Sequence, residues 1–323
     1  MSDYNAKEEK IIEMIESLIR NGVDAELIIS RFESKIFDLK KPELYFWFAK
    51  NVKGIDIESH EQAVIDKRDP EWNYKFAKNV KGSDINAHGK AIINSGSLEW
   101  NYKFAKDIKG ADVEAHERVI IKNGDPCYNY MFARYIEGAD VRAHGKAIIN
   151  SGDLEWNFNF AKNVRGSDVK AHEQAVIDKR DPEWNYKFAK NVKGSDINAH
   201  GKAIINSGNL EWNYKFARDI IGADVRAHGR VIINSGDPEL NYIFVRDVKG
   251  ADVRAHGKAI INSGDPEYNY KFARDIIGAD VKAHEQVVFK YGNQIESELE
   301  SLDNYLDDAI ASSEKDASKS MTK

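Results

Sequence analysis

Apolar residues recur along this chain within a unit of 28 residues that is repeated without insertion or deletion. In the copy that spans residues 69–96, placing residues at 100° intervals puts Phe76, Ala77 and Val80 on one face together with Asn73. Lysine and asparagine occupy the opposite face. This pattern predicts an amphipathic helix whose buried face contains one polar side chain.

The second half of the same copy has a similar pattern. Ile85, His88 and Ile92 fall on one face, whereas Asn86 and Lys90 fall on the other. The pattern therefore predicts a second helix in each copy. This helix also buries a polar residue, the histidine.

Sequence signals mark where both helices begin and end. Asp69 is a capping residue, Pro70 occupies the first helical position, and Gly82 closes the first helix. Asp84 caps the second helix, which ends at a turn containing Gly96. Each copy is therefore predicted to contain one helix of about 12 residues and one of about 10.

The glycine between the two helices recurs at a constant interval of 28 residues, which defines nine copies. A constant period in this range is typical of stacked-repeat proteins, in which each repeat buries its apolar face against its neighbours. We therefore predict an all-α fold, an α-solenoid of nine two-helix repeats with capping helices at both ends. The nine glycines are Gly54, Gly82, Gly110, Gly138, Gly166, Gly194, Gly222, Gly250 and Gly278.

The two ends of the chain depart from the repeat. Residues 1–40 predict a degenerate helical pair that caps the N-terminal end, and residues 41–292 contain the nine repeats. After a turn at Gly292, residues 293–311 predict a C-terminal capping helix with one apolar stripe. Residues 312–323 are small, polar and charged, and they are predicted to be disordered.

A resemblance follows from the string D-P-E-[WY]-N-Y-K-F-A-[KR], which recurs across residues 41–292. It resembles a short tandem helical repeat of uncharacterised bacterial and phage-encoded proteins. The architecture is similar to that of TPR and HEAT arrays, although the period is shorter than either. The resemblance implies an α-solenoid, a binding role and a viral or mobile-element source, and it identifies no functional residues.

Composition and charge narrow the functional classes. Hydrophobic residues make up 42% of the chain and charged residues 31%, with no run long enough to span a membrane and no signal peptide. We therefore expect a cytoplasmic protein. The single cysteine, Cys127, excludes a disulfide framework within the chain.

The net charge of −6 belongs to the ends, because residues 41–292 contain 38 lysines and arginines against 36 aspartates and glutamates. This balance disfavours a basic nucleic-acid-binding protein.

All nine histidines of the chain occupy the same repeat position. They could form a metal ladder, but zinc–nitrogen bonds of about 2.0 Å are far shorter than the roughly 8–10 Å between packed helices. We favour buried rings that donate a hydrogen bond to a carbonyl or to an asparagine, so no metal site and no cofactor is predicted. The histidines are His60, His88, His116, His144, His172, His200, His228, His256 and His284.

An asparagine lies at the centre of the apolar face of the first helix in eight repeats, with Tyr45 in its place in the first. We interpret it as a hydrogen-bond ladder that links each repeat to the next, with a ligand-reading role as the alternative. The asparagines are Asn73, Asn101, Asn129, Asn157, Asn185, Asn213, Asn241 and Asn269.

One outward position is basic in every repeat, and an aromatic residue such as Tyr74 or Tyr102 precedes it by four residues. A row of cations beside a row of rings is typical of single-stranded nucleic-acid sites, and it is also typical of an ordinary helix surface. These residues are the candidate binding row: Lys50, Lys78, Lys106, Arg134, Lys162, Lys190, Arg218, Arg246 and Arg274.

Two kinds of variation interrupt the symmetry. The second helix carries glycine in some repeats, as at Gly89, and glutamate in others, as at Glu61, which indicates either close helix contact or simple tolerance. Unusual residues in the fourth and eighth repeats either mark a partner site or reflect drift. They are Cys127, Met131 and Tyr135 in the fourth repeat and Leu240 and Ile243 in the eighth.

No catalytic residue is predicted, because the chain contains no nucleotide-binding loop, nucleophile elbow or metalloprotease motif. Residues 60–96 are identical to residues 172–208, so a block of four repeats was duplicated, which lengthens a surface. We expect a non-enzymatic scaffold that binds another protein, as an adaptor or an inhibitor. The alternatives are sequence-tolerant nucleic-acid binding through the candidate binding row and a sponge for small molecules or nucleotides. No membrane partner is expected.

Overall fold

The computed structural model describes residues 5–320, which form twenty α-helices joined by turns and contain no strand. The chain divides into two compact units, one ending at Ala175 and the other beginning at Val176. The helices follow the 28-residue period, two to a repeat. The predicted class, an α-solenoid of nine two-helix repeats, is therefore confirmed.

The first compact unit contains a helical pair at its N-terminal end, followed by five repeats. Helices α1 and α2 both contact α3, the first helix of the first repeat. Ile12, Ile15, Ile28 and Ile36 are buried in the same core as Leu44, so the pair covers the apolar end of the array. The helices of this unit are α1 (Ala6–Arg20), α2 (Ala25–Asp38), α3 (Pro42–Asn51), α4 (Ile57–Asp66), α5 (Pro70–Asn79), α6 (Ile85–Ser95), α7 (Leu98–Asp107), α8 (Val113–Asn123), α9 (Pro126–Tyr135), α10 (Val141–Ser151), α11 (Leu154–Asn163) and the part of α12 (Val169–Asp178) up to Ala175.

The second compact unit continues the same alternation of helices. Within it, the two helices of each repeat pack together, and each second helix also contacts the second helix of the next repeat. Its helices are α13 (Pro182–Asn191), α14 (Ile197–Ser207), α15 (Leu210–Asp219), α16 (Val225–Ser235), α17 (Pro238–Asp247), α18 (Val253–Ser263), α19 (Pro266–Asp275) and α20 (Val281–Ser320).

The capping residues act as the sequence indicates. Asp69 accepts hydrogen bonds from the backbone N–H groups of Glu71 and Trp72 at 2.9 and 3.3 Å. Gly96 ends α6 in the left-handed conformation, with φ of 69°. A backbone of this handedness strains residues with a side chain, so glycine is favoured there.

The first helix of the repeat ends earlier than predicted. Helix α5 stops at Asn79, and Val80 leaves it with extended backbone at φ −99° and ψ 118°. Gly82, at φ 87°, lies in the turn beyond. The extended conformation keeps the Val80 side chain buried at 5% exposure, and burial of an apolar side chain outweighs another helical hydrogen bond.

The core of each repeat is built from the predicted faces. Asn73, Phe76, Ala77 and Val80 are all buried, which confirms the face predicted for the first helix. One phenylalanine per first helix is completely enclosed. These residues are Phe48, Phe76, Phe104, Phe132, Phe160, Phe188, Phe216, Phe244 and Phe272.

The C-terminal end differs from the sequence-based expectation. Helix α20 runs without interruption from Val281 to Ser320, so the turn expected at Gly292 is absent and no separate capping helix begins at residue 293. A single glycine costs a helix about 1 kcal/mol and does not end it without further capping signals. Most of the segment predicted to be disordered is therefore helical, and residues 321–323 lie outside the described residues. The apolar stripe of α20 is exposed: Ile295 38%, Leu299 57%, Leu302 54% and Leu306 48%.

Candidate functional site

The repeat asparagine forms the same set of hydrogen bonds in six of the eight repeats that carry it. The Asn101 amide donates to the carbonyls of Ser97 and Ile92 at 2.7 and 3.2 Å, and its Oδ1 lies 2.7 Å from His116 Nδ1. Because Ile92 belongs to the preceding repeat, the asparagine links its repeat backward along the chain. The expected link to the next repeat is wrong in direction.

The same asparagine–histidine contact recurs in eight repeats, with Oδ1–Nδ1 distances of 2.6 to 2.8 Å. Each histidine ring also packs against the enclosed phenylalanine of its own repeat, as Phe104 does against His116 at a centroid distance of 4.9 Å. The first repeat replaces the asparagine with Tyr45, whose hydroxyl donates to the Phe37 carbonyl at 3.0 Å. These polar groups are therefore engaged in holding the repeat together.

The asparagine contacts determine which nitrogen of the histidine carries the proton. Because the asparagine NH₂ donates to carbonyls, its Oδ1 must accept, and Nδ1 of the histidine must donate. The neutral ring then has a lone pair on Nε2. Burial lowers the pKa of His116 and His228 to about 4, so these rings are neutral at physiological pH. Among the side chains that the structure describes, those of residues 5–306, no group of three could hold a metal ion.

The position that alternates between glutamate and glycine faces this Nε2 atom. Where it is glutamate, the carboxylate reaches the histidine and the capping aspartate of the following repeat. Glu117 Oε1 accepts from the backbone N–H of Asp140 at 2.6 Å and lies 3.1 Å from His144 Nε2. Burial raises the pKa of Glu117. We call the repeats that carry Glu61 and Glu117 the glutamate repeats.

In two repeats where the position is glycine, the same space is open. A cavity of about 390 Å³ beside Gly145 is lined by Asp168 and His172, and one of about 270 Å³ beside Gly229 is lined by Asp252 and His256. We call these spaces the glycine pockets and the repeats that supply their glycine the glycine repeats. The glycine repeats carry Gly89, Gly145, Gly201, Gly229 and Gly257.

In two further glycine repeats, buried histidine nitrogens lie against the glycine without partners. Among the described residues, Nε2 of His116 and Nε2 of His228 have no hydrogen-bond partner, although both side chains are completely buried. A Cβ built at Gly89 would lie 3.5 Å from the first, and a Cβ built at Gly201 would lie 3.3 Å from the second. One feature of the sequence indicates this site. The position 27 residues before the histidine is either glutamate or glycine in these repeats.

The candidate binding row lies on a different surface, formed by the first helices. Lys78 Nζ lies 5.0 Å from the ring centroid of Tyr74 and 3.0 Å from a carboxylate oxygen of Asp107. The Tyr74 hydroxyl donates to the same oxygen, and this bond, followed by that of Lys78, lowers the pKa of Asp107. Every cation of the row, from Lys50 to Arg274, lies within 5.7 Å of an aromatic centroid four residues earlier.

Aspartate neutralises several members of this row. Carboxylates within 3.5 Å pair with Lys190, Arg218, Arg246 and Arg274 as well as with Lys78. Five of the nine cations therefore have an acidic neighbour in the same chain. The row is a stacked and partly neutralised surface, and its electrostatic attraction for phosphate is correspondingly reduced.

The symmetry-breaking residues form no cluster of reactive groups. Cys127 Sγ lies 3.9 Å from Met131 Sδ, and burial, together with the nearby Asp125, raises the pKa of the thiol. Tyr135 is 54% exposed. Leu240 and Ile243 pack against separate core clusters of the second compact unit.

No helix among residues 5–320 is both long enough and apolar enough to cross a bilayer. Comparisons of the chain with protein-family models, with curated proteins and with solved structures give no match. The protein is therefore classified by its fold alone, as an all-helical array of two-helix repeats.

Proposed function

We propose that this protein is a non-enzymatic scaffold that binds another protein along its repeat surface, as an adaptor or an inhibitor. One observation carries the proposal. The same exposed groups recur along the array: an aromatic–cation pair on each first helix, and an open pocket beside Gly145 and beside Gly229. Repeated, evenly spaced groups suit an extended partner that makes many small contacts.

The resemblance noted in the sequence suggests a bacterial or phage source for this scaffold. Its partner would then be a host or viral protein in the cytoplasm. The fold contributes only the repeat architecture to this part of the proposal.

Sequence-tolerant nucleic-acid binding is the second candidate, and the stacked cations of the candidate binding row favour it. Lys106 and Lys162 lie over aromatic rings at 5.4 and 5.2 Å, an arrangement that suits phosphate and base contacts. The aspartates paired with other members of the row count against it. A sponge for small molecules, the third candidate, would use the glycine pockets.

Affinity capture from a lysate of the encoding organism, with and without nuclease, tests the proposal. We expect a stoichiometric protein that survives nuclease. The matched control replaces Lys50, Lys106 and Lys162 with glutamine, which should not reduce that capture. Recovery of nucleic acid, lost on digestion and lost in the lysine variant, would overturn the proposal in favour of the second candidate.

A further inference from the structure

The glutamate repeats show what the space beside the histidine accommodates. In two of them a carboxylate oxygen accepts the backbone N–H of the next capping aspartate at 2.6 Å. The same oxygen lies 3.1 Å from the histidine Nε2 of that repeat. Glu33 of the N-terminal pair meets His60 Nε2 at 3.1 Å with the same separation of 27 residues. The chain therefore places its own carboxylate there three times within the first compact unit.

The glycine repeats keep both recognition groups and lack the carboxylate. Among the described residues, the N–H groups of Asp168 and Asp252, which line the two open pockets, have no acceptor. The His172 and His256 rings in these pockets contact asparagine through Nδ1, and no described residue hydrogen-bonds to their Nε2 atoms. A backbone donor and a histidine nitrogen thus line each open pocket, the same pair of groups that a glutamate carboxylate meets in the glutamate repeats.

The charges around the open pockets favour an anion. Arg142 and Lys146 line the pocket beside Gly145. Arg226 and Arg230 line the pocket beside Gly229. None of these four cations forms an ion pair with a described residue. A carboxylate entering either pocket would therefore meet a backbone N–H, a histidine nitrogen and two cations at the rim.

We propose that the glycine pockets bind carboxylate groups, one in each pocket, at the position that glutamate fills in the glutamate repeats. The bound carboxylate accepts the aspartate N–H. Because Nδ1 already donates to asparagine, one proton from solvent is shared between Nε2 and the carboxylate. In the pocket beside Gly145, the charged groups around the His172 ring are Asp168 on its own helix and Arg142 and Lys146 on α10.

The source of the carboxylate is an acidic side chain of a partner, an extension that rests on the proposed protein-binding function. Gly201, Gly229 and Gly257 lie in consecutive repeats of the second compact unit. Neighbouring second helices in contact lie roughly 8–10 Å apart, and a chain in the polyproline II conformation has three residues per turn and rises about 3.1 Å per residue, so every third side chain points the same way. A peptide with a glutamate at every third residue therefore matches the pocket spacing.

Nitrogen NMR of ¹⁵N-histidine-labelled protein tests the carboxylate site. Sodium acetate is titrated against sodium chloride at equal ionic strength. We expect acetate to shift Nε2 of His116, His172, His228 and His256 saturably from its unprotonated toward its protonated position. His144, which faces Glu117, is the internal control and should not respond. Equal effects of acetate and chloride, or equal responses in both classes of histidine, would overturn the proposal.

A variant in one glycine repeat sharpens the test. Gly89→Glu supplies the chain's own carboxylate, and the space allows a Cβ there at 3.4 Å from the Phe104 ring. His116 should then lose its acetate response while His228 keeps it. Gly89→Ala is the matched control, because it adds the Cβ without the carboxylate. If His116 still responds to acetate in Gly89→Glu, the proposed site is contradicted. If this variant does not fold, the titration of the wild-type protein tests the proposal by itself.

A peptide comparison distinguishes the source of the carboxylate. A peptide with glutamate at every third residue should bind at least about tenfold more tightly than its glutamine version, because several pockets act together. If acetate shifts the histidines and the two peptides bind equally, the pockets take small carboxylates and the acidic partner is refuted. The affinity-capture experiment tests protein binding independently. Failure of the carboxylate proposal therefore does not imply failure of the protein-binding proposal, and the reverse also holds.

Discussion

Acidification should destabilise this protein well above the pH at which its carboxylates titrate. Burial lowers the pKa of His116, His172, His228 and His256 from 6.5 to about 4. Such a ring stays neutral in the folded protein and takes up a proton in the unfolded chain. Its contribution to the free energy of unfolding is therefore fully present above about pH 6.5. That contribution is lost as the pH falls from 6.5 toward 4.

The size of the loss follows from the two pKa values. A fall from 6.5 to about 4 corresponds to about 3.4 kcal/mol per ring at 1.36 kcal/mol for each pKa unit, and about 2 kcal/mol of it is lost by pH 5. Four such rings amount to about 8 kcal/mol if their repeats unfold together.

The histidines outside the glycine pockets add to this loss, because burial also lowers the pKa of His88, His144 and His200 to about 4. Unfolded aspartates titrate near 3.8, so a lowered pKa such as the value of about 2 for Asp275 matters only below this window. Burial raises the pKa of Glu61 and Glu117, and these two groups oppose the histidines because the folded state binds their proton more readily. The buried histidines therefore dominate the effect.

Urea unfolding followed by circular dichroism, at pH 7.5 and pH 5 and constant ionic strength, measures the effect. We expect a clearly lower midpoint at pH 5. His116→Gln removes one titrating ring. The free energy of unfolding of this variant should therefore fall by about 2 kcal/mol less between the two pH values than that of the wild type. Equal wild-type midpoints at the two pH values, or folded histidines that titrate near 6.5, would refute the reasoning.

Three further substitutions test the packing by urea unfolding. Asn129→Ala leaves the Nδ1–H of His144 unpaired and should cost about 2–4 kcal/mol, whereas a loss below about 1 kcal/mol would contradict the ladder. Phe132→Ala empties an enclosed site and should cost about 3–5 kcal/mol, and a smaller loss would mean that the core collapses around it. Tyr186→Phe removes a hydroxyl bond to Asp219 and should cost less than about 1 kcal/mol, so it serves as the control.

The repeat and its core were predictable because their causes are local or periodic. The spacing of Phe76, Ala77 and Val80 defines one face of a helix, and capping by Asp69 and Asp84 is encoded within a few residues. A period without insertions then extends one repeat to nine. The hydrogen bond from the histidine to the asparagine was foreseen as one of two partners, since a buried polar group requires one.

The glycine pockets were not predictable, because they depend on a contact between residues 27 apart. The sequence shows that Gly89 and Glu117 occupy equivalent positions, but only the packing brings that position against the histidine of the next repeat. The early end of α5 was missed for a related reason. The burial of Val80 in the tertiary structure determines where α5 ends, and helix propensity alone does not predict that burial.

The distribution of glutamate and glycine separates the two compact units in what they offer a ligand. The duplicated block carries Glu61 with Gly89 and, in its second copy, Glu173 with Gly201. Filled and open positions therefore alternate through the first compact unit, where open pockets are separated by a repeat that contains its own carboxylate. Beyond the duplicated block, Gly229 and Gly257 follow without an intervening glutamate. Avidity requires neighbouring sites that one chain can reach together, so an acidic partner should engage the second compact unit more tightly. Gly229→Glu, which fills the middle pocket of that series, should weaken such a peptide more than Gly145→Glu.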